Sequence, residues 1–311
     1  MSFKHSLSIL TSRFSITYKL LAFILIVTFL FSVLMVSVIY PTLAGLRNSI
    51  NELDLDVAVR HYIEQALKGD DPGLQSQAYE QLSSKLDQAA EIVRNSSTEI
   101  SLAIVLTAVL YLFYVVFFSW GQYCVSDVIN HHMSSNSKFG FSSNLAVNFK
   151  KAMRYSLLYT VITIGFMAAA GLLFWLSFAT LFKFVPLLGI ASVVAIFVFV
   201  MALRRALLFG WVPAMVSDGL GAVDGLKKGM SLLKRRFNYA LGLYFVFYIV
   251  FLSLNVMVTI FTVGVGTLFS ISISLALAQV CDLVIYYRTV GKRYYIDVLN
   301  VVDPSIKQRS L

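Results

Sequence analysis

Six separate runs of apolar residues decide what this 311-residue chain can become. They cover residues 20–40, about 100–123, 157–181, 185–216, 240–260 and 264–287. A helix needs about 20 such residues to cross roughly 30 Å of hydrocarbon, and each run reaches that length. Every backbone N–H and C=O inside hydrocarbon has to be paired within the protein. Because none of the runs alternates as a lipid-facing barrel strand would, helices are the solution. The expected fold is therefore all-α: a polytopic six-helix transmembrane bundle. Composition agrees, with 58% hydrophobic and 13% charged residues, against about 25% charged in an average soluble domain. The first run follows Lys4, Arg13 and Lys19 with no acidic residue among the first nineteen, and Pro41 follows it directly. It is longer than the roughly 7–15 residues of a signal-peptide core, so an uncleaved signal anchor is expected.

The basic residues predict an orientation. With the N-terminus inside, residues 1–19, 124–156, 204–239 and 288–311 lie in the cytoplasm and contain nineteen of the twenty-five Lys and Arg. Only Arg47, Arg60, Lys68, Lys85, Arg94 and Lys183 fall outside. That asymmetry places both termini in the cytoplasm of an inner-membrane, multi-pass protein. The same distribution makes the net charge of +9 topogenic and argues against a nucleic-acid partner. The expected organisation is residues 1–40 as cytoplasmic head and first span, 41–99 as an extracytoplasmic insert, 100–287 as five spans, and 288–311 as a cytoplasmic tail.

The insert holds ten acidic residues against five basic ones, a net −5. Leu46, Ile50, Leu53, Val57, Ile63 and Leu67 recur at helical steps, as do Leu74, Ala78, Leu82, Leu86, Ala90 and Val93 after a turn at Gly69–Gly73. This spacing predicts a helical hairpin. It either packs on itself in solvent or offers a surface to a protein partner or a second copy.

An internal parallel repeat is legible between about 100–181 and 185–260. Trp120, Val125, Ser126 and Asp127 recur as Trp211, Val216, Ser217 and Asp218, and Lys150-Lys151-Ala-Met recurs as Lys227-Lys228-Gly-Met. Repeats can frame a binding site or path at their interface, and they can equally serve stability alone. After each repeated aspartate comes a basic amphipathic stretch. One carries Lys150, Lys151 and Arg154. The other carries Lys227, Lys228, Lys234, Arg235 and Arg236 beside an apolar stripe of Leu220, Val223, Leu226, Met230, Leu233 and Phe237. Such helices are expected to lie at the cytoplasmic interface as anchors, their cations meeting anionic headgroups.

The stretch Arg204-Arg205-Ala-Leu-Leu-Phe-Gly-Trp-Val-Pro213-Ala-Met-Val-Ser-Asp218-Gly-Leu-Gly221, continuing as Gly225-Leu-Lys-Lys-Gly-Met-Ser-Leu-Leu-Lys-Arg-Arg-Phe237, carries a resemblance. It resembles the YciC-like family of bacterial membrane proteins, and is similar to the membrane domain joined to some glycerophosphodiester phosphodiesterases, over about residues 195–290. Those families place an arginine within a span, then a proline, an apolar–acidic end, a glycine turn and a basic helix. The resemblance implies a bacterial multi-span fold. These 311 residues contain no phosphodiesterase domain, so that activity is not implied.

Chemical motifs are sparse. His5, His61, His131 and His132 form no zinc spacing, and Cys124, Asp127 and His131 share a helical face only where a span meets water. No nucleophile elbow or phosphate loop occurs, so neither catalysis, cofactor nor metal is expected. Arg204 and Arg205 stand apart. A central arginine costs roughly 2.5–3.5 kcal/mol on insertion scales and calls for a partner. Asp282 and Gln279 near the end of the sixth run are the nearest partners, with Asp127 and Asp218 behind them. The pair either snorkels to the inner leaflet or contacts Asp282, an anionic headgroup or a substrate. The functional expectation is a non-enzymatic integral protein of the bacterial envelope that organises or senses lipid or partners. The alternative is a small transporter, channel or lipid-moving protein with a path at the repeat interface.

Overall fold

The computed structural model describes residues 2–68, 72–135, 140–184, 186–297 and 300–304. Twelve helices follow one another among them: α1 (Ser2–Ser12), α2 (Ser15–Thr42), α3 (Ala44–Asn51), α4 (Leu55–Lys68), α5 (Pro72–Asn95), α6 (Ser97–Ser135), α7 (Phe141–Val147), α8 (Phe149–Phe184), α9 (Pro186–Leu208), α10 (Trp211–Ser217), α11 (Ala222–Thr262) and α12 (Val265–Val290). Two short strands, β1 (Tyr294–Tyr295) and β2 (Val301–Val302), close an antiparallel hairpin after α12. Six helical segments among the described residues are long and apolar enough to cross a membrane, the fourth running through α9 and α10 as Ala191–Ser217. The protein is an all-α, multi-pass integral membrane protein.

The chain divides into two compact units, Met1–Val27 with Val115–Leu311, and Thr28–Tyr114; α2 and α6 contribute residues to both.

In the larger unit α12 is the central helix. Of its most apolar stretch, 67% is buried, against 11–33% for the other five spans. The sequence explains why. Ser270, Ser272, Ser274, Ala276 and Ala278 keep the helix thin, so neighbouring backbones approach closely, as small residues permit within membranes. From Ala276 to Tyr287 every described side chain is buried. Helices α1, α10 and α11 pack on it, and α9 packs between α8 and α11. Ile9 and Leu10 of α1 are buried in this core. The N-terminal head is therefore an ordered helix that covers α12, set off from α2 by a turn at residues 13–14.

The basic stretches are not separate interfacial helices. Each is the opening of a spanning helix, α8 of 36 residues and α11 of 41. Neither interval holds a proline or a turn signal strong enough to stop the helix, and Gly229 and Gly242 are tolerated inside it. At 1.5 Å per residue α11 is about 60 Å long, twice the roughly 30 Å of hydrocarbon, so its basic opening extends beyond the apolar layer.

In the smaller unit, α4 and α5 pair along their length, and Tyr62 faces Tyr79 at 6.2 Å between ring centroids. Both tyrosines lie a similar number of residues from 69–71, so the two helices run antiparallel as a hairpin. The expected turn itself lies mostly outside the described residues. The first arm is not one helix. It breaks at residues 52–54, where Asp54 takes a positive φ of 46° and α4 begins at the next residue. Aspartate is among the few side chains that tolerate this conformation, and it is favoured just before a helix. Ala78 is buried while Leu67, Leu74, Leu86 and Val93 are exposed.

Candidate functional site

Consecutive residues on a helix point about 100° apart, so Arg204 and Arg205 on α9 address different neighbours. Arg205 Nη2 meets Asp282 Oδ2 of α12 at 2.5 Å, and both side chains are nearly buried, at 11% and 8% exposure. The Tyr244 hydroxyl of α11 donates to Asp282 Oδ1, and the Arg205 guanidinium lies 5.9 Å from the Tyr244 ring centre. Arg204 turns to α8 instead. Its Nη1 lies 3.5 Å from Thr163 Oγ1, and its guanidinium sits 5.5 Å from the Tyr159 ring centre. Two adjacent cations thus tie α8, α9, α11 and α12 together.

Gln279, one turn before Asp282, donates from Nε2 to Gln122 Oε1 of α6 at 3.0 Å and accepts from the Ser126 hydroxyl at 2.7 Å. The arginine pair, Asp282 and both glutamines line a cavity of about 20 Å³ with Tyr155, Tyr159 and Trp211. That is room for about one water molecule, far below the roughly 300 Å³ at which ligand pockets begin. In this arrangement the cluster satisfies charge and fixes helix positions.

The other two predicted acids lie elsewhere. Asp127 Oδ2 accepts from Asn144 Nδ2 at 2.5 Å and Asn148 Nδ2 at 2.9 Å, which ties α6 to α7. His131 approaches it at 3.9 Å. Cys124 is buried, and no group of three metal-type ligands forms among the described residues. Asp218 receives Lys292 Nζ at 2.5 Å on Oδ1 and the Tyr286 hydroxyl at 2.5 Å on Oδ2, with Lys228 at 3.9 Å. The two repeated aspartates therefore do different work. Asp127 holds the segment that follows it, whereas Asp218 holds the far end of α12.

Partial burial pushes the Asp218 carboxyl upward, but the hydrogen bonds from Lys292 and Tyr286 and the charges of Lys292 and Lys228 outweigh it. Its pKa is lowered. A depressed folded-state pKa means that the unfolded chain binds the proton more readily. The contribution is then full above the unfolded value of about 3.9 and fades as pH falls through the folded value. Asp218→Asn should cost about 2 kcal/mol near neutrality, the scale of charge-assisted hydrogen bonds. The gap between wild-type and variant melting temperatures in detergent should close as pH is lowered below 4. A gap independent of pH would contradict the ionic reading.

The predicted basic residues gather at the end of the larger unit that also carries α10 and the β-hairpin, where Lys151 Nζ donates to Gly219 O at 3.1 Å. Lys150, Arg154, Lys227, Lys228, Lys234, Arg235 and Arg236 are exposed. The face of α11 that packs inward most closely is Ala222, Gly225, Gly229 and Leu232, flanked by Leu226, Leu233 and Phe237 of the predicted stripe. Val223 and Met230 remain exposed, and Leu226, Leu233 and Phe237 are half-buried. The reason is a backbone crossing. A Cβ on Gly229 would stand 2.8 Å from both Gly210 C and Trp211 N, and one on Gly210 would stand 2.8 Å from Gly229 Cα. Trp211 Nε1 adds a 2.7 Å bond to Ala222 O. The glycines at 210, 225 and 229 are the sequence signal for this contact. Nothing in the sequence singled out Tyr244, Thr163 or Lys292.

Comparison of the chain with known protein families, with curated proteins and with solved structures finds no match in any of the three.

Proposed function

We propose that the chain is a non-enzymatic integral protein of the bacterial cell membrane, with both termini cytoplasmic, whose basic end engages anionic lipid. One observation carries this reading: the basic opening of α11 buries Ala222, Gly225, Gly229 and Leu232 and leaves its cations exposed together with the large apolar side chains of Val223 and Met230. Exposed Val223 and Met230 stand beside exposed Lys227, Lys228 and Lys234, and exposed Phe149 beside Lys150. That mixture suits the boundary between headgroups and acyl chains. Each cation near an anionic leaflet contributes about 1 kcal/mol. The nineteen-to-six distribution of Lys and Arg supports the cytoplasmic placement of this end, and the resemblance around residues 204–237 supports the bacterial assignment.

The protein should melt several degrees higher in nanodiscs containing phosphatidylglycerol than in phosphatidylcholine alone. A combined Lys150→Gln, Lys227→Gln, Lys234→Gln and Arg236→Gln variant should lose most of that difference. Equal melting in both lipids would overturn the reading.

Orientation has its own test. Cysteines introduced at positions 68 and 228 should label oppositely in intact cells, 68 from outside and 228 only after permeabilisation. The native Cys124 and Cys281 are buried and free, so background is low. Labelling of both positions from outside would contradict the topology.

A further inference from the structure

Beside the basic end, α11 carries a groove of about 570 Å³ that the Arg205–Asp282 pair does not line. Phe3 of α1 forms one wall; Tyr239, Gly242, Val246 and Val250 of α11 form the other, over a floor that includes buried Phe247. These α11 positions recur at steps of three and four and so lie on one helical face. They extend about 16 Å along the axis at 1.5 Å per residue, close to one leaflet of a roughly 30 Å hydrocarbon layer.

The groove is polar at one end only. Asn238 and Tyr239 lie at the end nearer the basic opening of α11, and Val250 and Phe251 at the other. Arg235, exposed and one turn before Tyr239, continues the same helical face. No carboxylate occurs in α1 or anywhere in α11 after Asp224. The size falls within the roughly 300–1,000 Å³ of ligand sites.

From this grading of charge and depth we infer that the groove between α1 and α11 is a site for one anionic phospholipid. One acyl chain lies along Gly242, Val246 and Val250, and the phosphate sits at Arg235. The inference rests on the anionic-lipid reading above and assigns it a place.

Gly242 supplies the test, because a Cβ there meets nothing within 4 Å. Gly242→Leu projects a side chain into the groove from a position where the Cβ is unobstructed, and replaces a residue that disfavours helix. Purified protein is titrated with phosphatidylglycerol, and separately with phosphatidylcholine, and lipid-bound forms are counted by native mass spectrometry. Wild type is expected to hold one phosphatidylglycerol more tightly than any further copies. Gly242→Leu should weaken that first binding at least tenfold while melting no lower in detergent. Arg235→Gln should weaken phosphatidylglycerol and leave phosphatidylcholine unchanged.

If Gly242→Leu binds phosphatidylglycerol like wild type while the four-glutamine variant loses lipid-dependent melting, the groove assignment falls and the broader reading stands. If neither variant changes anything, both fall. A shift from dimer to monomer in Gly242→Leu with unchanged lipid binding would mean that a second copy fills the groove, and would overturn the site.

Discussion

Asp282→Asn should lower the stability of the folded protein by about 3–5 kcal/mol, the scale for removing one partner of a buried ion pair. Asparagine keeps the shape and an acceptor oxygen for the Tyr244 hydroxyl, but it removes the charge that balances Arg205 2.5 Å away. A lost hydrogen bond alone would be a small effect, since such bonds within membranes average about 0.6 kcal/mol. Tyr244→Phe should therefore cost far less than Asp282→Asn. Replacing both ions by apolar residues of similar volume, as in Arg205→Met with Asp282→Leu, should give a protein more stable than either single variant, because no charge is left alone. Arg204, held by a hydroxyl at 3.5 Å and a ring face, should tolerate Arg204→Met with a much smaller loss. Unfolding in mixed detergent measures all of these. Additive losses in the double variant would mean that the two side chains act independently.

The second large effect is a contrast in sign within α11. Gly229→Ala should destabilise by about 1–3 kcal/mol, the usual range for overpacking, because the new Cβ would stand 2.8 Å from two backbone atoms that no rotamer change can move. Gly242→Ala places the same methyl group in open space. It should stabilise by up to about 1 kcal/mol through helix propensity alone. A helix that merely disliked alanine, or liked it, would respond in the same direction at both positions.

These sites show where the sequence can be read and where it cannot. The six spans are legible because hydrophobic length needs no knowledge of neighbours. Asp282 is nameable as a partner because it is the one acidic residue within the sixth apolar run. Which arginine would meet it is not legible, since that depends on the rotation of α9. The contribution of Tyr244 is equally hidden among sixteen tyrosines. On α11 the usual inference holds only in part. In water a large apolar stripe marks the buried face, whereas lipid accepts part of it outward and lets small residues make the closest contact. The spacing of the stripe is readable, but not that Leu226, Leu233 and Phe237 pack on the core while Val223 and Met230 face outward. The continuity of α8 and α11 was hidden for a related reason, because a change in polarity along the chain marks a membrane boundary and need not mark a helix end. The break at Asp54 hung on one residue in a left-handed conformation.

The most direct test of the central claim, that the basic end engages anionic lipid, is the composition of lipid that leaves the cell membrane with the protein. Purified in mild detergent, the wild type should carry anionic phospholipid enriched over its share of the source membrane. The combined Lys150, Lys227, Lys234 and Arg236 to glutamine variant should carry less, at an unchanged yield of folded protein. Co-purifying lipid that matches the bulk membrane in both proteins would contradict the account.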